Sequence, residues 1–468
     1  LDMDWGLLAK VSIIAGIAIA FLALARWLAK KTLALDKWLD SQRLLRKQKR
    51  RIIEGEPFTG RLNKFFNKKK NTILNEALRA SEKYKYEEAI SKFRSLLTLF
   101  TEPIERIAIL NQIGLNQMNM SNFKGAKDTF NKMADEAEKN NLSKALSIAL
   151  GNAGIAVREL GELKDSIDLH SRAFKIAEEL GYNTGEGKQY GNMATAYLVT
   201  GNHEMALELY GKSLKVSQDT GDYGGISTAL WGIGLIYRTA GEPEQALEFL
   251  ETAYEIVKRR KDKEMQASIL NNLGVIFKEQ VKDHMVISPK ESKLLDKAMN
   301  YFEKALSLSK KIGSLRIQAS VFINIGNIFR IQKKFENAFS ILKLALHISR
   351  RISARLTEAE ALCSLGNYCS ILGEYDEAFE YHKQSLQIYQ ETGYREGEGK
   401  TLGNIGLMYL LQKNFKESRA QLLEAKKIFK EMESKHNEAN ADRNLQLLDM
   451  VEKGKVKLAS FIDIVSSV

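Results

Sequence analysis

The sequence predicts an all-α protein, a right-handed solenoid of helical hairpins preceded by one transmembrane helix. Three observations predict it. A self-similar unit recurs every 40 residues along most of the chain. Only four prolines occur in 468 residues, alongside abundant Leu, Ala, Lys and Glu, which favours helix and leaves little room for a strand-rich domain. Near the N-terminus an apolar stretch is long enough to span a bilayer.

In chain order, the transmembrane helix is expected at residues 5–28. Val11 to Ala25 carries no charge, and Leu7 to Ala9 and Trp27-Leu28 extend it. Lys10 and Arg26 can snorkel to the two surfaces. At 1.5 Å per residue, Trp5 and Trp27 fall roughly 33 Å apart, a suitable separation for an interfacial aromatic pair. A cleaved signal peptide is the rival, because Ala23-Leu24-Ala25 resembles a cleavage site, but no cluster of positive charge precedes the apolar run. Ser12, Gly16 and Ala20 form a small-residue stripe that would admit a partner transmembrane helix.

Residues 29–69 form a basic juxtamembrane segment. The net charge of +12 would suit nucleic acid if it were spread over a folded face. Its location says otherwise. Arg26 to Lys70 holds 15 Lys or Arg against four acids, and residues 71–468 sum to only +2, so no nucleic-acid partner is expected. The positive-inside rule then places the C-terminal bulk in the cytoplasm, or on the equivalent side of an organelle. Leu33, Leu35, Trp38, Leu39, Leu44 and Leu45 make an apolar stripe that either lies on anionic lipid or packs on a neighbouring subunit.

The repeat array is expected over residues 70–438, about nine units, followed by a capping helix and tail over 439–468. A small residue recurs at Gly114, Gly154, Ala194, Gly234, Gly274, Gly326, Gly366 and Gly406, in steps of 40 except for one of 52. Twelve residues on comes another, such as Ala126, Ser166, Ala206, Ala246, Ala338 and Ala378; in the longer unit, Ala298 follows after 24. Four further stands a wedge, such as Phe130, Tyr210, Phe302 or Leu342, with His170 and His382 as expected core imidazoles in that position. Three further again is mostly a small residue, such as Ala173, Ser213 or Ala425. Gly161, Gly201, Gly241 and Gly373 are expected to stop the first helix of a hairpin, and Gly181, Gly221, Gly313 and Gly393 the second. No hairpin buries its own apolar face, so neighbours must stack. The 12-residue insertion, about Glu279 to Lys293, contains Pro289 and reads as a surface loop in preference to the alternative, a docking element.

These residues and offsets resemble the tetratricopeptide repeat (TPR) family, and the 40-residue unit is similar to Pins/LGN-type adaptor repeats. The resemblance implies a right-handed superhelix with an open groove, and protein ligands in place of chemistry. No phosphate loop, dinucleotide fingerprint, zinc motif or nucleophile–base pair is present. No catalytic residue, cofactor or metal is therefore expected. Cys363 and Cys369 read as buried free thiols.

Two columns on the first helices are the candidate partner-binding site. Asn152, Asn192, Asn272, Asn324 and Asn404 stand two residues before the small position, and an amide offers donor and acceptor together to an extended backbone. Arg158, Arg238, Lys278 and Arg330 stand four after it, a basic column that would prefer acidic segments. The expected function is a membrane-anchored scaffold that grips extended acidic segments of partner proteins. The alternative is a structural or assembly subunit of a large membrane complex, its groove permanently occupied.

Overall fold

The computed structural model describes residues 68–281, 287–432 and 434–454. Among these residues the chain is helical throughout and has no strand. Helices pair in order as hairpins: α1 (Lys68–Glu82) with α2 (Tyr86–Leu97), α3 (Pro103–Asn119) with α4 (Phe123–Lys139), α5 (Ser143–Glu159) with α6 (Leu163–Glu179). Next come α7 (Asn183–Val199) with α8 (His203–Thr220), α9 (Tyr223–Ala240) with α10 (Pro243–Arg260), and α11 (Lys263–Glu279) with α12 (Pro289–Ile312). Then follow α13 (Leu315–Ile331) with α14 (Phe335–Arg351), α15 (Arg355–Leu372) with α16 (Tyr375–Thr392), and α17 (Arg395–Leu411) with α18 (Phe415–Glu431). α19 (Lys435–Glu452) packs on α18 and closes the array. Among the described residues no helix is long and apolar enough to cross a membrane. The expected span at residues 5–28, its Ser12, Gly16 and Ala20 stripe, the basic flank over 29–67 and the tail from 455 lie outside the described residues.

Most hairpins are locked where the first helix has no side chain, and in α7 a methyl group, that of Ala194, holds the place. A Cβ on Gly114 would lie 2.4 Å from the Phe130 ring, and one on Gly366 would lie 2.6 Å from the His382 ring. Leu250, Leu342 and Leu422 fill the same place in their hairpins, and all these wedges are fully buried. The second small column is buried too. Ser213 and Ser385 hydroxyls donate to the Gly187 and Ala359 carbonyls across their own hairpins, each at 2.8 Å.

Helix ends follow the glycines only in part. Gly161 and Gly201 stand in the left-handed region at φ 86° and 81°, as their positions predict. Ser121, Lys333 and Lys413 hold the equivalent conformation at φ 62°, 59° and 61° without being glycine. The insertion corrects the sequence reading more sharply. Its later half is no loop but the start of α12, which begins at Pro289 and runs for 24 residues. Ser288 Oγ accepts from the Glu291 N–H at 3.2 Å and the Glu291 carboxylate accepts from the Ser288 N–H at 2.9 Å, a reciprocal cap. Pro289 fits because a first-turn residue needs no N–H partner.

The array coils until it touches itself. The Arg316 N–H donates to Ser121 Oγ at 3.2 Å and Ser434 Oγ donates to the Thr239 carbonyl at 3.4 Å, both across 195 residues. A Cβ on Gly161 would meet Thr392 at 2.5 Å, and one on Gly201 would meet Met432 at 2.8 Å. Arg316 reaches Glu159 at 3.3 Å and Glu264 at 3.7 Å. The first turn of the superhelix therefore lies directly against the second.

Two expected outcomes test this packing. Ala338→Leu and Gly366→Ala should each cost about 1–3 kcal/mol, because each adds atoms to a filled hairpin crossing. Unchanged chemical denaturation midpoints for both would refute the register. The second outcome is acid sensitivity. Burial pushes His170 and His382 down to about 4, opposed at His170 by a 2.9 Å bond with Gln189. Their folded values lie below the unfolded value, so stability is complete above about pH 6.5 and falls as pH drops towards 4, by roughly 3 kcal/mol per histidine. The double variant His170→Phe with His382→Phe places in both the ring that Phe130 and Phe302 supply elsewhere. Its thermal midpoint should drop less than that of the wild type between pH 7 and pH 4.5; parallel losses would show that the imidazoles are not the acid-sensitive groups.

Candidate functional site

Coiling turns the first helix of each hairpin inward, and from Leu115 on α3 to Lys400 on α17 each of these helices lines one cavity of 880 Å³. Of the amide column, Asn152, Asn192, Asn272 and Asn324 line this cavity, whereas Asn404 does not. The amides also bond between repeats. Asn152 Nδ2 donates to Asn111 Oδ1 at 2.9 Å, Asn324 Nδ2 to Asn271 Oδ1 at 3.1 Å and Asn404 Nδ2 to Asn367 Oδ1 at 2.8 Å. Asn272 Nδ2 donates to the Ser268 carbonyl at 2.9 Å, while the side-chain amide of Asn192 has no hydrogen-bond partner among the described residues. The column is thus partly an inter-repeat clasp. Asn111 and Asn271, three residues before the small position, are partners that the sequence reading passed over.

Arg158, Arg238 and Lys278 of the basic column reach the cavity; Arg330 does not line it. The column is not an unopposed basic strip. Arg238 pairs with Glu279 at 2.7 Å and Arg158 with Glu159 at 3.0 Å. Arg316 and Lys400 also line the cavity, as do Glu264, Glu360 and Glu396. Lys400 meets Glu396 at 2.6 Å, and although burial pushes that carboxyl up, Lys400 and Arg238 hold it down to about 2. Glu159 is likewise held below the usual range: burial opposes ionisation, and Arg316 and Arg158 overcome it. Glu264 and Glu396 stand in the first turns of their helices and Glu159 and Glu279 next to the basic column, where sequence alone gives no reason to separate them from solvated surface.

Lys278 differs from the other cavity cations. Its Nζ donates to Asn324 Oδ1 at 2.8 Å and has no carboxylate at ion-pair distance among the described residues. Burial, opposed by Glu279 and reinforced by Lys400, Arg238 and Arg330, brings it down to about 8. Of the two thiols, Cys369 is buried as expected, but Cys363 is only half-buried and lines the cavity, where Asn404 Nδ2 approaches its sulfur at 3.5 Å. Among the described residues, the group whose donor atoms could converge on a metal is Cys369, Glu374 and Glu377, away from the cavity lining. The cavity itself presents amides, mostly paired charges and aromatic side chains such as Trp231 and Tyr394.

The tetratricopeptide repeat family matches residues 188–259, 317–391 and 357–431, so the chain carries repeats of that type. No curated protein matches the sequence. Among solved structures, a Rap protein complexed with competence and sporulation factor is similar at a TM-score of 0.56 and 12% identity, over 78% of this chain and 99% of that one. NprR in complex with its cognate peptide NprX is similar at 0.52 and 16% identity, over 77% and 99%. At such identities the likeness is one of fold. Both neighbours are of the Rap and NprR kind, not of the Pins/LGN kind.

Proposed function

We propose, taking this tetratricopeptide solenoid as the premise, that the chain is a membrane-tethered scaffold that draws an extended segment of a partner into its axial cavity. The observation that carries the reading is the cavity wall: successive inward helices present amides and charges at repeat spacing around one space of 880 Å³. The NprR neighbour, with its peptide, lends the reading support by analogy of fold. The paired charges narrow the expected ligand. A purely acidic segment would face Glu159, Glu279, Glu360 and Glu396 as well as the cations, so the fitting segment is one of mixed charge held chiefly through its backbone. The tether rests on the apolar run at residues 5–28 and the basic flank behind it, with the repeats on the cytoplasmic or equivalent side.

Asn192→Leu removes the amide that no neighbour uses, and should reduce partner recovery about 5- to 30-fold while leaving the melting temperature within a few degrees. Equal recovery of the same partners from mild detergent extracts, compared by quantitative mass spectrometry, would remove the cavity from the account. The stoichiometry of the wild-type sample separates the adaptor from a structural subunit of a large membrane complex. Exchangeable, substoichiometric partners mark the adaptor, whereas a fixed large particle marks the subunit. For the tether, sealed vesicles should expose the repeats to protease on the cytoplasmic face; protection there would reverse the topology.

A further inference from the structure

We propose that Lys278, braced by the Asn324 amide, is a subsite for one carboxylate of the bound segment and sets the register in which that segment lies. The inference rests on the peptide-binding reading above and adds to it a chemical group and a place. Five basic side chains line the cavity: Arg158, Arg238, Lys278, Arg316 and Lys400. Four already face a carboxylate, Arg158 at 3.0 Å, Arg238 at 2.7 Å, Arg316 at 3.3 Å and Lys400 at 2.6 Å. Lys278 does not. Its one hydrogen bond runs to a neutral amide oxygen, so the remaining ammonium donors have no protein acceptor among the described residues.

Asn324 is itself fixed, because its Nδ2 donates to Asn271 Oδ1 at 3.1 Å, and the chain Asn271–Asn324–Lys278 spans α11 and α13. The ammonium therefore stands at a defined point of the cavity. A half-buried cation with open donors is a place for an anion, and a carboxylate gives the charge-assisted bond that the neutral amide cannot.

The charges that face Lys278 are Glu279 on its own helix, Arg238 on α9, Arg330 on α13, Glu360 on α15 and Lys400 on α17. Glu279 is engaged by Arg238 yet remains the strongest single charge at Lys278; burial, together with the like charges of Lys400, Arg238 and Arg330, outweighs it. Its folded value near 8 lies below that of an ordinary lysine. A bound carboxylate raises it again, so binding draws a proton in, and affinity is full below about pH 8 and declines above it, at most about tenfold per pH unit. Glu360, which lacks an ion-pair partner among the described residues, competes with the incoming group.

The test uses the full chain in detergent and three pools of fluorescent random heptapeptides. One pool lacks Asp and Glu and ends in a free carboxylate; a second lacks them and ends in an amide; a third is amidated and includes Asp and Glu. The wild type should retain the first or the third at least about tenfold more than the second at pH 7, and which of the two wins identifies a terminal or a side-chain carboxylate. Lys278→Met should bring the preferred pool within about twofold of the second, without abolishing retention through the amides. Lys278→Arg should keep the preference and lose the decline between pH 7.5 and 9.5, and Glu360→Gln should strengthen it. Equal retention of all pools by a folded wild type would overturn the carboxylate subsite and leave peptide binding standing. Retention of none would overturn both.

Discussion

The structure depends on a missing side chain. At one point in each first helix there is no room for more than a hydrogen or a methyl group, because a large residue of the second helix occupies the space. A Cβ on Gly274 would stand 2.6 Å from the Phe302 ring, and one on Gly154 would stand 2.7 Å from the imidazole of His170. The close crossing fixes the hairpin, and repetition of the same crossing every 40 residues makes each hairpin present the same face to the next. Stacking then follows from burial of apolar surface that a single hairpin leaves exposed. The inward direction of the first helices, and so the cavity, is a consequence of that crossing and not a separate feature of the sequence.

Repeat proteins ordinarily interact only with their neighbours along the chain, and their stability is close to a sum of local terms. Contacts across 195 residues change that arithmetic here. The seam joins loops of the first turn to the second through Ser121, Gly161 and Gly201, and Arg316 stitches α5 and α11 to α13 by way of Glu159 and Glu264. An ion pair at such a place is worth more than one on open surface, since it is partly shielded from water and salt. The coil also wraps the first helices around a partly open cavity. A segment inside it loses part of its solvent, which strengthens the polar contacts that are made and penalises those that are missed.

The hairpin register was legible because it is local. Gly366 and His382, or Gly114 and Phe130, are sixteen residues apart, and the pattern repeats often enough to stand out from ordinary helix periodicity. The amide column was legible for the same reason. The seam was not, because Arg316 and Ser121 carry no mark that pairs them; their meeting is set by the accumulated small rotations between repeats. The acids opposite the basic column were missed for a related cause. Glu279 adjoins Lys278 in sequence yet pairs with Arg238 from the preceding repeat, and only the coil decides which neighbour it faces. The insertion was misjudged because Pro289 was read as a breaker, whereas at the first position of a capped helix it is a starter.

The cavity divides recognition between two kinds of contact. Amides such as that of Asn192 can satisfy backbone donors and acceptors of any extended chain, and so give affinity with little regard to sequence. Charges give the opposite. With Arg158, Arg238, Arg316 and Lys400 already neutralised by protein carboxylates, adding ligand charge beside them exchanges one pairing for another and changes the total little. Discrimination therefore has to come from places where the protein leaves a charge incomplete. A solenoid that filled its cavity with unpaired cations would select strongly but would also strain its own coil by self-repulsion. Pairing nearly all of them keeps the coil closed, and the few groups left open decide what may enter.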